Sequence, residues 1–379
     1  MGKKPRRKIR VGVIFGGRSG EHEVSLISAQ SVMSAIDKEK YQVIPIGITK
    51  EGRWLTSGDP MKMLTAGLAG SSRPPALAAS YESPNAETKA ETRDLIPGTR
   101  ESGIPAIDVI FPVLHGPYGE DGTIQGLLEL ANLPYVGSGV LGSALGMDKA
   151  AMKAMFRDAG LPTVKALTIL RKSWEANPER VTRRISRELG YPCFVKPANL
   201  GSSVGVSKVH GPDELPAAME MAAQYDRKLL IEEAIEAREI ECSVLGNDEP
   251  IASILGEIVP RREFYDYIAK YADENTELII PADLPAEKTR EIQEMAIRAF
   301  LALDCAGLAR VDFFLCRHTG RVYVNELNTI PGFTSISMYP KLWAASGISY
   351  SELIDKLIEL ALERFTDKQR NRTSYTDET

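Results

Sequence analysis

The sequence predicts an α/β protein of more than one domain, on three observations. An apolar strand-like run, "KIRVGVIF", turns on Gly16 and Gly17 and leads into a segment with Ala29, Val32, Met33 and Ile36 at helical spacing. Two further apolar runs, "YQVIPIGI" and "IDVIFPVLHG", give the strand, helix, strand alternation expected of a parallel sheet. Farther along, strand-like pairs flank a Gly/Ser loop in "YPCFVKPANLGSSVGVSKVH" and the breaker "CRHTGR".

Bulk properties narrow the function classes. The chain has 379 residues, enough for two or three domains, with 43% apolar and 26% charged residues, as in an ordinary soluble enzyme. A net charge of −5 with scattered basic residues argues against a nucleic-acid partner. No run is long and apolar enough for a membrane span, and the basic stretch "MGKKPRRKIR" passes into a strand without a signal-type apolar core, so it is expected to be a disordered tail. Cys193, Cys242, Cys305 and Cys316 stand far apart with no metal spacing, which predicts buried reduced thiols in a cytoplasmic protein.

In chain order, the N-terminal parallel sheet should gather ligands at the carboxyl ends of its strands, where the Gly-Gly turn and His115 both fall. Residues 56 to 103 are rich in Ala, Ser, Pro and Gly and read as an insertion without assignable chemistry. A helix then has Asp148 as N-cap, Gly160 past its end and Pro162 beyond. Lys149 sits in its first turn, where the dipole disfavours a cation; it is either an anion ligand or an exposed lysine of small cost. Lys196 enters the Gly/Ser loop, whose small residues would let backbone N–H groups approach phosphate, although a hairpin tip would look the same. "KLLIEEAIEAREIECSVLG" reads as strand, bend, strand, with Glu232, Glu233 and Glu239 as an acidic edge. "REFYDYIAKYADENTELIIP" carries Lys270 and Tyr271 without a clear element, and a helix from about 287 to 303 presents Ile292, Met295, Ala296, Phe300 and Leu303 on one face. Residues 368 to 379 form a polar tail.

The hairpin "LARVDFFLCRHTGRVYVNELNT" concentrates polar groups at its open end. Side chains two apart share a strand face, so Arg310 and Asp312 lie with Phe314, and Glu326 and Asn328 are expected to lie with Val322 and Val324. Two carboxylates and an amide there suit Mg²⁺ or Mn²⁺; the other reading is a solvated strand end with a salt bridge from Arg310.

Four stretches, "HGPYGEDGTIQGLLE", "VKPANLGSSVGVSKV", "FYDYIAKY" and "GLARVDFFLCRHTGRVYVNELNTIPGFTSIS", occur in an order and spacing that resemble the D-alanine:D-alanine ligases of the ATP-grasp superfamily, over nearly the full chain. The resemblance implies a three-domain ATP-grasp fold: residues 1–137 as an N-terminal domain holding the first substrate, 138–236 as a central domain, and 237–367 as a C-terminal domain with the metal and second-substrate sites. ATP would lie between the antiparallel sheets of the last two. Further implications are two Mg²⁺ (or Mn²⁺) ions, room for a monovalent cation, two D-alanines per turnover and a homodimer.

Carried over by position, Lys149 and Lys196 match lysines that reach ATP phosphates, and the loop from Gly201 to Gly205, with Ser203, matches the one that covers them. Glu232 falls at adenine and Glu239 at the ribose, while Asp312, Glu326 and Asn328 match the metal ligands. Arg310 and the Gly332 N–H match donors to the oxyanion of the tetrahedral intermediate. Glu23 is taken as the carboxylate for the first substrate's ammonium, in a hydrogen-bonded set with Ser202 and Tyr271 and near His115. Lys270, Ser337 and the adjoining Met338 fall at the second substrate's carboxylate. Relatives that use D-lactate tend to replace the tyrosine matched by Tyr271, so "YDYIAKY" implies a dipeptide-forming enzyme; D-alanine:D-lactate or D-alanine:D-serine ligation is the alternative. Glu233 departs from relatives that carry a lysine there.

Overall fold

The structure, a computed structural model, describes residues 7–66, 107–259, 277–334 and 336–372. Lys270, Tyr271 and most of the expected insertion lie outside the described residues.

The N-terminal unit runs β1 (Ile9–Gly16), α1 (His22–Ala35), β2 (Tyr41–Ile48), β3 (Trp54–Leu55), α2 (Pro60–Thr65), β4 (Val109–Val113) and α3 (Thr123–Leu130). Its sheet has the order β3-β2-β1-β4, with β1 parallel to both β2 and β4, as the alternation predicts. The alternate residues Val11, Val13 and Phe15 join one apolar cluster while Ile14 joins another, so both faces of β1 are buried. Gly16 ends β1 at φ +92°, and a Cβ there would come within 2.2 Å of the Ile48 carbonyl, so the turn that launches α1 requires glycine.

The central unit comprises α4 (Val140–Met147), α5 (Lys149–Asp158), β5 (Ala166–Leu170), α6 (Arg171–Ala176), α7 (Pro178–Glu188), β6 (Cys193–Pro197), β7 (Ser207–Val209), α8 (Leu215–Tyr225) and β8 (Lys228–Glu233). Asp148 caps α5, accepting from the amides of Ala150 and Ala151. The sheet is antiparallel, in the order β5-β8-β6-β7. The third unit contains β9 (Ala237–Gly246), β10 (Ile251–Val259), β11 (Glu277–Ile279), α9 (Ala286–Ala302), β12 (Gly307–Cys316), β13 (Val322–Asn328), α10 (Met338–Ala345) and α11 (Tyr350–Lys368). Its antiparallel sheet is ordered β11-β10-β9-β12-β13. The expected stripe on α9, Ile292, Met295, Ala296 and Phe300, is buried against this sheet, together with Leu303 just beyond the helix.

The strand, bend, strand stretch is split between the sheets: β8 belongs to one and β9 to the other, so the bend at 234–236 joins two facing walls. α11 packs between its own sheet, at Leu245 and Leu308, and the N-terminal one. Its residues Leu353, Ile354, Leu357 and Ile358 share a cluster with Val11, Phe15, Val109 and Phe111 of the N-terminal sheet.

The β12–β13 hairpin departs from the expected faces. Asp312 pairs with Glu326, but Phe313 pairs with Val324, so Asn325 is an extra residue in β13. Such a bulge reverses the alternation on the bulged strand. Val322 and Val324 therefore turn into the core with Phe313 and Leu315, opposite to Glu326 and Asn328 rather than beside them. Cys193, Cys242 and Cys305 are buried free thiols, the last two pushed up to about 12 by burial; Cys316, at the hairpin end, is only half-buried, which corrects the expectation for that one.

Candidate active site

A cleft of about 570 Å³ opens between the two antiparallel sheets. One wall is built by β6, the 200–203 loop, β7 and β8; the other by β9, β12 and β13, with the start of α5 at one end.

On the first wall Lys196 and Glu232 stand on neighbouring strands, and their side chains pair. Glu232 is 2% exposed and also pairs with Lys153 of α5, Oε1 to Nζ at 2.8 Å. Burial alone would push its carboxyl up; the two ammonium groups overcome this and bring it down to about 2. Glu233 turns aside and accepts from the Lys165 amide at 2.8 Å. Lys149 donates to the Leu200 carbonyl and meets Glu326 Oε2, each at 3.1 Å, so a carboxylate from the far wall offsets the unfavourable dipole at the start of α5. In the intervening loop Ser202 and Ser203 hold φ of +52° and +57°, a left-handed conformation uncommon for serine and concentrated at functional sites.

The second wall carries a row of carboxylates. Register aligns Glu241 of β9, Asp312 of β12 and Glu326 of β13 across neighbouring strands, with Arg310 two residues from Asp312 on the same face. Arg310 is 7% exposed and bonds Asp312 through Nε–Oδ1 and Nη2–Oδ2, both at 2.7 Å, and Glu241 at 3.1 Å. Burial opposes its charge, but the carboxylates prevail and raise its pKa. Asn328 donates to Asp312 Oδ2 at 3.0 Å. Glu239 lines the same cleft nearer the bend. The oxygen-only set of Asp312, Glu326 and Asn328 fits a hard divalent cation. Among the described residues no group of three His, Cys, Asp or Glu side chains forms a metal-type cluster, so a cation here would draw on the Asn328 amide and on oxygens of its ligand.

Where the 200–203 loop meets the N-terminal unit, one expectation is overturned. Ser202 Oγ donates to Glu21, not Glu23. Glu23 instead pairs with Lys50 at 2.5 Å, and that contact outweighs burial to lower its pKa. Glu21 lies just before α1, and two residues along a helix turn a side chain by roughly 200°, so the two carboxylates point to different surroundings. His115 is buried nearby: its Nδ1 donates to the Ile330 carbonyl at 3.1 Å and its Nε2 lies 3.1 Å from Ser28 Oγ. Burial disfavours its charged form, but Glu120 and Glu21 raise its pKa all the same. Glu120, which accepts from the Gly116 amide at 3.1 Å, was not singled out in the sequence, nor were Glu21, Lys153 and Glu241.

The loop after β13 completes the junction. Gly332 packs so closely that a Cβ would meet Ser337 Oγ at 2.9 Å, and Ser337 Oγ accepts from the Thr334 amide at 3.1 Å. Met338 puts its side chain into a small apolar cluster with Ile258 and Leu342. Only its backbone amide, at the start of α10, is left to meet an anion there.

Two antiparallel sheets clasping a cleft, with lysines on one wall and an arginine–carboxylate hairpin on the other, define an ATP-grasp protein. The chain belongs to the D-alanine–D-alanine ligase family: residues 10–138 match the family model described as D-ala D-ala ligase N-terminus, and residues 155–359 match D-ala D-ala ligase C-terminus. It is 55% identical, over 96% of its length and 99% of the relative's, to a D-alanine–D-alanine ligase of Thermoanaerobacter. Among solved structures it is similar to the D-alanine–D-alanine ligase from Coxiella burnetii, with TM-score 0.78, 38% identity and 96% of each chain covered. It is also similar to the VanG D-Ala:D-Ser ligase from Enterococcus faecalis, with TM-score 0.78, 39% identity, and 94% of this chain and 100% of that one covered.

Proposed function

We infer that the protein joins two D-alanine molecules into D-alanyl-D-alanine with ATP as the energy source. The observation that carries this reading is the junction of three units at one cleft: Lys149 and Lys196 on one wall, Arg310 with Asp312 and Glu326 on the other, and Ser202 tied to Glu21 of the N-terminal unit. The first D-alanine's carboxylate oxygen attacks the γ-phosphorus as the bond to ADP breaks, giving an acyl phosphate. The second D-alanine's amine, having lost its extra proton, then attacks that carbonyl carbon, and collapse of the oxyanion expels inorganic phosphate.

In this reading Lys149 and Lys196 bind the phosphates under the loop that carries Gly201 and Ser203, Glu232 accepts from the base and Glu239 from the ribose. Asp312, Glu326 and Asn328 would hold divalent Mg²⁺ or Mn²⁺, which supplies charge neutralisation to the phosphates. Arg310 and the Gly332 amide face the oxyanion, a contribution worth about 2.7–4 kcal/mol of barrier per donor. Glu21, in place of Glu23, receives the first substrate's ammonium, and its bond to Ser202 closes the loop over the site, where an acyl phosphate must be kept from water. His115 borders the same subsite. Ser337 and the Met338 amide, with Lys270, take the second carboxylate, and Tyr271 selects an amine over a hydroxyl nucleophile. In this reading the enzyme works in the cytoplasm as a homodimer, and a monovalent cation has room in the same scheme.

The test is phosphate release from Mg·ATP with D-alanine alone, then with D-lactate or D-serine added, products being identified by mass. D-Alanyl-D-alanine in step with phosphate is expected. Phosphate that appears only with another acceptor would overturn the substrate assignment. Tyr271→Phe should raise use of D-lactate relative to D-alanine, and an unchanged acceptor ratio would remove Tyr271 as the selector.

A further inference from the structure

Lys153 is a buried lysine in the apolar face of a helix. It is 1% exposed and follows Met152, which with Phe156 packs into the core beneath the five-stranded sheet. A methionine would fill the same space without an ammonium to desolvate, so the charge needs partners. It has two, one on each wall of the cleft. Nζ meets Glu232 Oε1 at 2.8 Å, near the end of β8 in the four-stranded sheet, and donates at 3.0 Å to the carbonyl of Asn325, the bulge residue of β13 in the five-stranded sheet. Lys153 does not line the cleft; Glu232 and Lys196 do. Whatever Lys153 does for a ligand it therefore does through Glu232.

We infer that Lys153 is a positioning residue for the nucleotide base: by tying Glu232 Oε1 to the Asn325 carbonyl it fixes the depth and the ionised state of Glu232, and so makes the cleft select a base with an exocyclic amino group over one with a carbonyl at that place. This rests on the nucleotide-binding reading above. A carboxylate accepts from an amino N–H, whereas a carbonyl oxygen opposite it would leave two acceptors with no proton between them. Burial pulls Lys153 down and would pull Glu232 up, and each offsets the other's cost. Without Lys153, Lys196 alone among the described residues would remain paired with Glu232 to hold its charge. A Glu232 that takes up a proton can donate to a carbonyl, and the discrimination weakens from both sides.

The experiment compares dissociation constants for ATP and ITP, which differ at the amino or carbonyl position, by calorimetry on the full chain with Mg²⁺ and no D-alanine. The unchanged protein should prefer ATP, and Lys153→Met should reduce that preference at least about tenfold, the scale of one hydrogen bond to a charged group. Lys153→Gln, which keeps a neutral donor of similar length, is measured alongside and serves if the methionine variant does not fold; it too should lose preference. Equal weakening of ATP and ITP, or an unchanged ratio in a folded variant, would overturn the inference and leave Lys153 a structural strut. An unchanged protein that binds neither nucleotide would instead overturn the nucleotide reading itself, and this inference with it.

Discussion

The two ends of the cleft are built differently. At the end assigned to the base, a single buried carboxylate, Glu232, is held by two ammonium groups, Lys153 and Lys196, the second of which also serves the phosphates. At the other end the five-stranded sheet gathers three carboxylates, Glu241, Asp312 and Glu326, around its own Arg310, with Lys149 of α5 pairing Glu326. The ion pairs of the first end are in place before any ligand arrives. The carboxylate row of the second would repel a triphosphate unless cations came with it, since like charges in a partly buried site interact far more strongly than in water. Recognition is thus prepared in advance, whereas the reactive end is completed only by its ligands.

The largest effect should come from weakening the carboxylate row. Glu326→Gln is expected to cut phosphate release by at least about a hundredfold, the scale for loss of one preorganised electrostatic group, while calorimetry still detects ATP. Full turnover in that variant would erase the contrast between the ends. Next, Arg310→Lys keeps the charge but loses the forked geometry that holds Asp312 by two bonds, so kcat should fall by about a hundredfold with little change in ATP binding. An equal loss of ATP affinity would show that Arg310 serves binding instead.

A smaller effect separates the neighbouring carboxylates of the N-terminal unit. Glu21→Gln should raise the KM for D-alanine about tenfold, whereas Glu23→Gln, which only breaks a half-exposed pair with Lys50, should change stability by less than about 1 kcal/mol and leave KM alone. Reversed outcomes would restore Glu23 to the site. The smallest effect concerns acid. Glu232 has its pKa lowered to about 2 from an ordinary 4.5, so the stability it contributes is fully present above about pH 4.5 and is lost as pH falls toward 2. Glu232→Gln should flatten that part of the stability profile below pH 4.5 in acid titration followed by circular dichroism; a profile unchanged there would mean that the pair with Lys153 and Lys196 does not hold the charge.

Much of the architecture was legible because it depends on local pattern. The run "YQVIPIGI" is β2 residue for residue, and Asp148 caps α5 where its side chain and the following helical spacing place it. Arg310, Asp312, Glu326 and Asn328 could be seen as one group because hairpin partners are close in sequence. The bulge at Asn325 could not, since one extra residue in a ladder has no compositional mark, and it sent Val322 and Val324 to the other face. The choice between Glu21 and Glu23 depended on which one faces Ser202, a residue far along the chain. Lys153 looked like any helical lysine until two distant sheets enclosed it.

The packing of α11 has a consequence for the order in which the protein can be made. Four residues that are fully buried on that helix, Leu353, Ile354, Leu357 and Ile358, cover a face of the N-terminal sheet, and each contributes about 1.5–3 kcal/mol, together comparable to the whole net stability of a domain. Leu26, Ala29 and Val32 of α1, with Ile36 at its end, cover part of the same face as soon as that helix forms, and α11, made much later, completes the cover. The unit that carries Glu21 is therefore sealed in two stages, first by its own helix and then by one from the far side of the cleft.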